Sequence, residues 1–321
     1  MSPKDPGNGV RDDLLDILIC PSCLPQERKL ALGRAQVLQG DINDGLLHCS
    51  RCDRSYPIRD GVAVLLADGE GAEAIDRYGH PEVVSRYVWS QFCDLVQEGR
   101  GASAYGTWSA RLEATGGKGL DAGCGIGRMT LEMGCRMDLA VGIDRSIPFV
   151  HAARRLAREG TLEFELLLEG EIFEQRRVKL PNTLRALPVE YLVADVQALP
   201  FPRSLFSQLV SLNIVDKIAD PLGHLRELDR VAGRRDASLL FADPFSWSEE
   251  IAPRDRWLGG TRAGRFAGPA RRNVEQLLRG REGFLSPWEP GPWQEVEWTI
   301  RIHANLTERI SSQTLVARRP K

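Results

Sequence analysis

The segment GLDAGCGIGR, residues 119–128, sets Asp121 ahead of glycines at 123, 125 and 127, and AVGIDRS follows with Asp144 placed 23 positions after Asp121 (144 − 121). Glycine is needed where a backbone turns sharply and must approach a ligand, and an acid closing the next strand accepts hydrogen bonds from both ribose hydroxyls. The pattern therefore marks a strand, loop and helix that hold a nucleoside. A dinucleotide fingerprint, GxGxxG, would need its third glycine at position 128, where Arg128 stands. The NAD spacing fails.

Three more apolar runs, each ending in a polar residue as buried parallel strands do, come in order: YLVADVQALPF (191–201), SQLVSLNIVDKI (207–218) and ASLLFADPF (237–245). The motif D-x-G-x-G-x-G resembles motif I of the class I S-adenosylmethionine (SAM) methyltransferases. That resemblance implies a Rossmann-like α/β fold, a seven-stranded sheet with helices on both faces. It also implies that Asp121, Gly123, Gly125 and Gly127 form the loop around the methionine part of SAM. Asp144, with Arg145 beside it, falls at the ribose, and Asp195, with Val196, at the adenine. Asn213 lies at the carboxyl end of the fourth strand, where open α/β sheets bind ligands.

The chain has 321 residues, long for one domain, and 42 basic against 44 acidic residues, so no polycationic field for nucleic acid covers the whole molecule. No run of 18 apolar residues exists, and the apolar stretch from Leu14 to Cys20 is broken by Asp16. The chain reads as soluble and unexported, a cytoplasmic protein with no membrane partner. Four of its seven cysteines form two CxxC pairs, Cys20 with Cys23 and Cys49 with Cys52. Each pair sets two thiolates on one tight knuckle, and four thiolates close a tetrahedral structural Zn²⁺ site. The odd total argues against an oxidised scaffold.

LLDILICPSC (14–23) and LHCSRCDRSYPIRDGVAVLL (47–66) resemble the small zinc-ribbon activator subunits of methyltransferases, with Tyr56, Pro57, Ile58, Asp60 and Gly61 in that family's YPI-x-DG segment. Members activate or stabilise methyltransferases, some acting on tRNA, rRNA or a release factor. The expected organisation is a zinc ribbon over 1–68, a linker and lid helix over 69–100, and a methyltransferase domain over 101–321. The ribbon's charge, 8 basic against 10 acidic residues, does not suit an RNA-gripping surface. The stretch 67–80 is small, polar and acidic, as a linker is. PEVVSRYVWSQFCDLV (81–96) sets Val84, Tyr87, Val88, Gln91 and Phe92 near one helical face and predicts a lid helix over the SAM site. Tyr78, Tyr87 and Tyr105 are aromatics within reach of a substrate, although core packing is the commoner use.

Two excursions interrupt the sheet. Leu162–Pro188 alternates in charge after Gly160, which suits a helix stop. The second follows ADPFSW and runs to Trp298, with the helical stretch NVEQLLRG. Between Arg254 and Glu282 it carries eight arginines against three acids, a net of +5 (8 − 3). Arginines on a loop are either a solvated face or a receptor for carboxylate or phosphate.

NIVDKIADP (213–221), ADPFSWSEEIAPRDRWLGG (242–260) and EVEWTIRIHANLTERISSQTLVARR (295–319) resemble the methyltransferase domain of ovothiol biosynthesis, which methylates an imidazole nitrogen of 5-thiohistidine. The likeness covers 101–321, and Asp243 and Phe245 depart from it. Methyl transfer from a sulfonium is an in-line displacement, so the enzyme mainly orients the nucleophile. The catalytic candidates are Asn213 and Asp216 after the fourth strand, Asp243 at the fifth, and His303 in the final hairpin. The expected activity is SAM-dependent methylation of a small imidazole or thiohistidine-type acceptor. The alternative is an RNA or protein methyltransferase carrying its activator in cis.

Overall fold

The structure, a computed structural model, describes residues 10–38, 41–67, 80–96, 104–113 and 116–321; the expected linker, with Tyr78, lies outside them apart from its two end residues. The ribbon part comprises α1 (Asp12–Leu15), β1 (Ala31–Leu38), β2 (Asp41–His48), β3 (Ser55–Arg59) and β4 (Val62–Leu65). There follow α2 (Pro81–Phe92), α3 (Ala104–Ser109), β5 (Lys118–Ala122), α4 (Arg128–Gly134), β6 (Leu139–Asp144) and α5 (Ile147–Glu159). The first excursion holds β7 (Thr161–Glu169) and β8 (Ile172–Lys179), before β9 (Val189–Ala194), β10 (Gln208–Leu212), α6 (Pro221–Val231) and β11 (Ser238–Asp243). The chain ends with α7 (Ala270–Leu278), β12 (Glu289–Pro290), β13 (Gln294–His303) and β14 (Leu306–Arg318).

Seven strands make the expected Rossmann-like sheet in the order β9-β6-β5-β10-β11-β14, with β13 beyond β14. The pairs β9/β6, β6/β5, β5/β10 and β10/β11 are parallel, and β14 returns antiparallel to β11. Alternation sends Leu209, Leu239 and Phe241 to one face, under Leu225 and Leu228 of α6 and Val274 and Leu277 of α7. Val210, Leu212, Leu240 and Ala242 face the other way, toward Trp108 of α3 and Met129 of α4. Helices therefore cover both faces, which is why these strands read as continuous apolar runs.

The sheet is larger than the expected seven strands. β4 pairs parallel to β9, with Val64 opposite Val193 and Leu65 opposite Ala194, so the ribbon adds four strands to make one sheet of twelve with β12. All four β4 residues are buried. Leu14, Leu18, Ile58 and Leu65 share one core cluster with Leu192 and Phe201. The ribbon thus covers what would be an open edge of the sheet. Truncating the fully buried Leu65 to alanine would cost about 2–5 kcal/mol across that seam.

The first excursion is a two-stranded antiparallel hairpin of its own, β7 against β8. Gly160, at φ 69°, caps α5 before it. Leu162, Phe164, Leu166 and Val178 of the hairpin pack on Val88 and Phe92 of the expected lid helix, α2. The second excursion contains α7, and the last hairpin, β13–β14, is the longest among the described residues.

Candidate active site and metal knuckle

The glycine loop leaves β5 at Ala122 and enters α4 at Arg128, with Gly123, Gly125 and Gly127 all at positive φ (82°, 55° and 82°). Side chains there would also collide: a Cβ on Gly125 would come 2.4 Å from Gln91 Nε2, and one on Gly127 2.5 Å from the Tyr191 ring. Asp121 is buried and accepts a 2.7 Å hydrogen bond from Thr130 Oγ1. Burial lifts its carboxyl to about 7. Asp144 accepts from Gly125 N and Ser146 N, each at 2.9 Å, so the acid after β6 clamps the glycine loop to the start of α5. Arg145 Nη1 donates to Asp195 Oδ2 at 2.8 Å, which ties the two strand ends together. Asp195 Oδ1 also accepts from Gln197 N at 2.8 Å. The carbonyl of Val196 can only accept, so His224 Nδ1, 3.1 Å away, carries the proton there, and Ser211 Oγ donates to Nε2 at 2.9 Å. Asp121, the three glycines, Asp144, Arg145, Asp195 and Val196 therefore gather at the carboxyl ends of β5, β6 and β9.

The second group lies at the ends of β10 and β11. Asn213 sits in the left-handed region at φ 62°. Its Oδ1 accepts from Ser312 Oγ at 2.5 Å, and Ser312 Oγ accepts from Trp298 Nε1 at 2.9 Å. Asp243 is fully buried and accepts from Val215 N at 2.9 Å and Phe245 N at 2.8 Å. Burial, with Asp216 beside it, pushes its carboxyl well above the ordinary range. Its oxygens staple the turn after β10 to the turn after β11. Asp216 is also buried, and its Oδ2 accepts from Ser246 N at 2.8 Å and Lys217 Nζ at 2.9 Å. Its Oδ1 has no hydrogen-bond partner. Phe245, Trp247 and Trp257 stack in sequence, with ring centroids 6.1 and 6.0 Å apart. Trp247 Nε1 is likewise buried and unpartnered.

His303 is not brought to this group by its strand. It pairs with Leu306, seven residues (313 − 306) along β14 from Gln313, the partner of Asp243. Seven extended residues span roughly 23 Å. The hairpin instead arches toward α2 and β7: Ser90 Oγ donates to Thr299 O at 2.7 Å, and Ala304 N to Leu168 O at 3.3 Å. Helix α2, hairpin β7–β8 and hairpin β13–β14 thus close on one another beside the strand ends.

Sequence reasoning missed how α2 grips the glycine loop. Gln91 Nε2 donates to Cys124 O, and Gln91 Oε1 accepts from Arg128 N, both at 3.2 Å. The Arg128 guanidinium, on a side chain 6% exposed, forks onto Asp94 at 2.8 and 3.0 Å and reaches Glu132 at 3.0 Å. Tyr105 of α3 also hydrogen-bonds Gln91, while Tyr87 packs on Phe149 with centroids 5.0 Å apart. The available signal was a glutamine on the apolar face of a helix.

In the ribbon, the four sulfurs of Cys20, Cys23, Cys49 and Cys52 lie within 4.8 Å of one another, with Cys20–Cys52 at 3.6 Å and Cys23–Cys49 at 3.7 Å. Tetrahedral zinc with ~2.3 Å Zn–S bonds sets its sulfurs ~3.8 Å apart. The cluster fits that ion. The Tyr56 hydroxyl, 3.2 Å from Cys20 Sγ and 2.9 Å from Ser22 Oγ, is placed to donate to the thiolate and orient it.

Comparison with known families agrees with both halves. Residues 11–61 match the model of the Trm112p-like proteins and residues 120–235 that of the methyltransferase domain. No curated protein matches the chain in sequence. Among solved structures, the YcgJ protein of Bacillus subtilis is 15% identical, with 68% of this chain and 98% of that one covered and a TM-score of 0.42. A SAM-dependent methyltransferase of Methanosarcina mazei is 17% identical over 65% and 94% of the two chains, also at 0.42. A chain of the complex between the Haloferax volcanii Trm112 methyltransferase activator and a methyltransferase is 14% identical over 67% and 88%, again at 0.42. Among the described residues no helix is long and apolar enough to cross a membrane. The chain thus carries a methyltransferase domain over residues 120–235, on a sheet of class I α/β type, and a Trm112p-like domain over 11–61 with a four-cysteine cluster fit for zinc.

Proposed function

We propose that this enzyme methylates a ring nitrogen of a small imidazole or thiohistidine-type acceptor. The observation that carries the reading is the closure of α2, β7–β8 and β13–β14 on one another through Ser90–Thr299 and Ala304–Leu168. A site walled in this way suits a small molecule better than a polymer, because burial raises the strength of each positioning contact and keeps water away.

SAM supplies an electrophilic methyl on a sulfonium. Asp144 holds the ribose, Asp195 and Val196 the adenine, and Asp121 with Gly123, Gly125 and Gly127 the methionine part. Arg145 keeps Asp195 oriented. Asn213, fixed by Ser312, positions the acceptor. Asp243 acts through the two turns it staples, and not at the reacting atom. Burial raises Asp216 and makes it a stronger base than a solvated carboxylate, so its unpartnered Oδ1 is the acceptor for a ring N–H. Once the second ring nitrogen is alkylated, that proton leaves and the product is neutral. Phe245, Trp247 and Trp257 offer flat faces to a heterocycle. His303, at the hairpin tip, belongs to the enclosure.

The domain organisation that accompanies this reading is a ribbon over 1–68, a connecting segment over 69–100 and a catalytic domain over 101–321. Four strand spacings separate β4 from β10 (β4-β9-β6-β5-β10), about 19 Å. At that distance the ribbon stabilises the sheet without contacting the acceptor.

The Trm112p-like match favours a second reading, an RNA or protein methyltransferase with its activator in cis. Radiolabelled SAM offered with thiohistidine and imidazole analogues, bulk RNA and cell protein decides between them. Label in the small heterocycles is expected; label in RNA or protein alone overturns the proposal.

A further inference from the structure

The methyl-transfer site uses none of the eight arginines of the second excursion. Four of them, Arg271, Arg272, Arg279 and Arg281, line a cavity of about 610 Å³ together with Glu275 and Gln313. Helix α7 presents this face because Ala270, Val274, Leu277 and Leu278 are buried in the core behind it. The lining carries four positive charges against one negative, a net of +3 (4 − 1), in a chain whose net charge is −2.

Two arginines have internal partners. Arg271 Nη1 donates to Gln313 Oε1 at 3.2 Å, and Arg279 pairs with Glu275 at 2.9 Å. Glu275 is held from its other side by Trp293 Nε1 at 3.0 Å, so the one acid of the cavity is already committed. The side chains of Arg272 and Arg281 make no hydrogen bond or ion pair among the described residues. Crowding like charges in a concavity is unfavourable unless an anion enters it. Guanidinium forks match phosphate oxygens two at a time. Residues 271 and 279 lie roughly 12 Å apart along the helix axis, a length that a ligand with several anionic groups can follow from end to end.

None of the residues lining this cavity is one that the methyl-transfer site uses. On β14, Ser312 points to Asn213 and Thr314 to Trp108, so Gln313 between them lies on the other face of the sheet from Asn213, the face of its cross-strand partner Asp243.

We propose that the groove beside α7 is a second ligand site, which takes a small molecule bearing a di- or triphosphate chain. Its volume lies in the range of small-ligand pockets, of the order of 300–1,000 Å³.

The test is calorimetry on the full chain at about 0.15 M salt, where surface attraction is screened beyond roughly 8 Å. The probes are inorganic tripolyphosphate, ATP and phosphate-free adenosine. With the SAM site saturated by SAM, saturable binding of tripolyphosphate is expected, retained in ATP and absent with adenosine. The Arg272→Ala, Arg281→Ala double variant should bind at least about ten-fold more weakly while SAM affinity, the check on folding, stays unchanged. Arg272→Lys keeps the charge and loses the fork; it should weaken binding about three-fold, and it serves if the double variant fails to fold. Absence of saturable tripolyphosphate binding, or equal binding by the variants, overturns the proposal. So does an RNA oligonucleotide that displaces tripolyphosphate with a steep salt dependence, since the groove would then be a nucleic-acid surface.

Discussion

Replacing Arg128 by alanine tests whether the residue that breaks the dinucleotide spacing is the anchor of α2. Its guanidinium is 6% exposed, against 26% for Asp94 and 19% for Glu132. Removing one partner of a buried pair costs about 3–5 kcal/mol, because the remaining charge is left in poor solvent. The partial exposure of both acids puts the loss at the lower end, about 3 kcal/mol. Arg128 also lies over the Phe92 ring at 5.4 Å, which adds about 0.5–1 kcal/mol. The expected destabilisation is therefore about 3–4 kcal/mol, out of a total of order 5–15 kcal/mol for a folded protein.

Urea unfolding with an unchanged m-value measures that loss, and SAM titration measures its functional consequence. Gln91 bridges Arg128 N to Cys124 O, so a loosened α2 also loosens the glycine loop, and SAM affinity should fall about ten-fold, or 1.4 kcal/mol. The Arg128→Ala, Asp94→Ala double variant should regain part of the stability by removing the orphaned carboxylate. A loss under about 1 kcal/mol with SAM affinity intact would refute the reasoning. Arg128→Gly supplies the third glycine of GxGxxG and should still not bind NAD.

Further outcomes can be set against measurement. His224 is fully buried and lowered from 6.5 to about 4. Below pH 6.5 the unfolded chain takes up a proton that the folded chain refuses until about pH 4, so its contribution is lost as pH falls through that window, by about 3 kcal/mol. Asp121, raised to about 7, acts with the opposite sign between its unfolded value and 7. The comparison must therefore be between wild type and His224→Gln at pH 7 and 4.5; parallel curves would discard the assignment. The Cys20→Ser, Cys23→Ser double variant should lose one equivalent of zinc by metal analysis and unfold at lower urea, and unchanged zinc defeats the metal reading. Asp216→Asn should lower kcat by about 10²–10⁴ while leaving the SAM KM near wild type, whereas His303→Ala should change kcat less than three-fold. The reverse order would move the base to the hairpin tip.

Much of the fold was legible because its residues satisfy constraints that few alternatives meet. Three glycines at positive φ, four cysteines in two knuckles, and strands with apolar residues on both faces each leave a sequence mark. The joining of ribbon to sheet leaves almost none, because strand pairing is made by backbone groups that every residue carries. Its one trace is VAVL at 62–65, apolar on both faces where a free ribbon strand would alternate.

The acids at strand ends show the limit most clearly. Asp144, Asp195 and Asp243 look alike in sequence, each closing an apolar run. Asp144 and Asp195 keep part of their surface in solvent, while Asp243 keeps none and spends its oxygens on Val215 N and Phe245 N. Asp144 also accepts a backbone N–H on each oxygen, from Gly125 and Ser146, so what separates it from Asp243 is the surface it keeps in solvent and not the number of its bonds. Asp216 is as deeply buried as Asp243 and differs from it in keeping one oxygen, Oδ1, without a hydrogen-bond partner. Strand-end spacing identifies the ring of candidate acids, and only burial and the destination of each lone pair separate the staple from the acids that remain candidates.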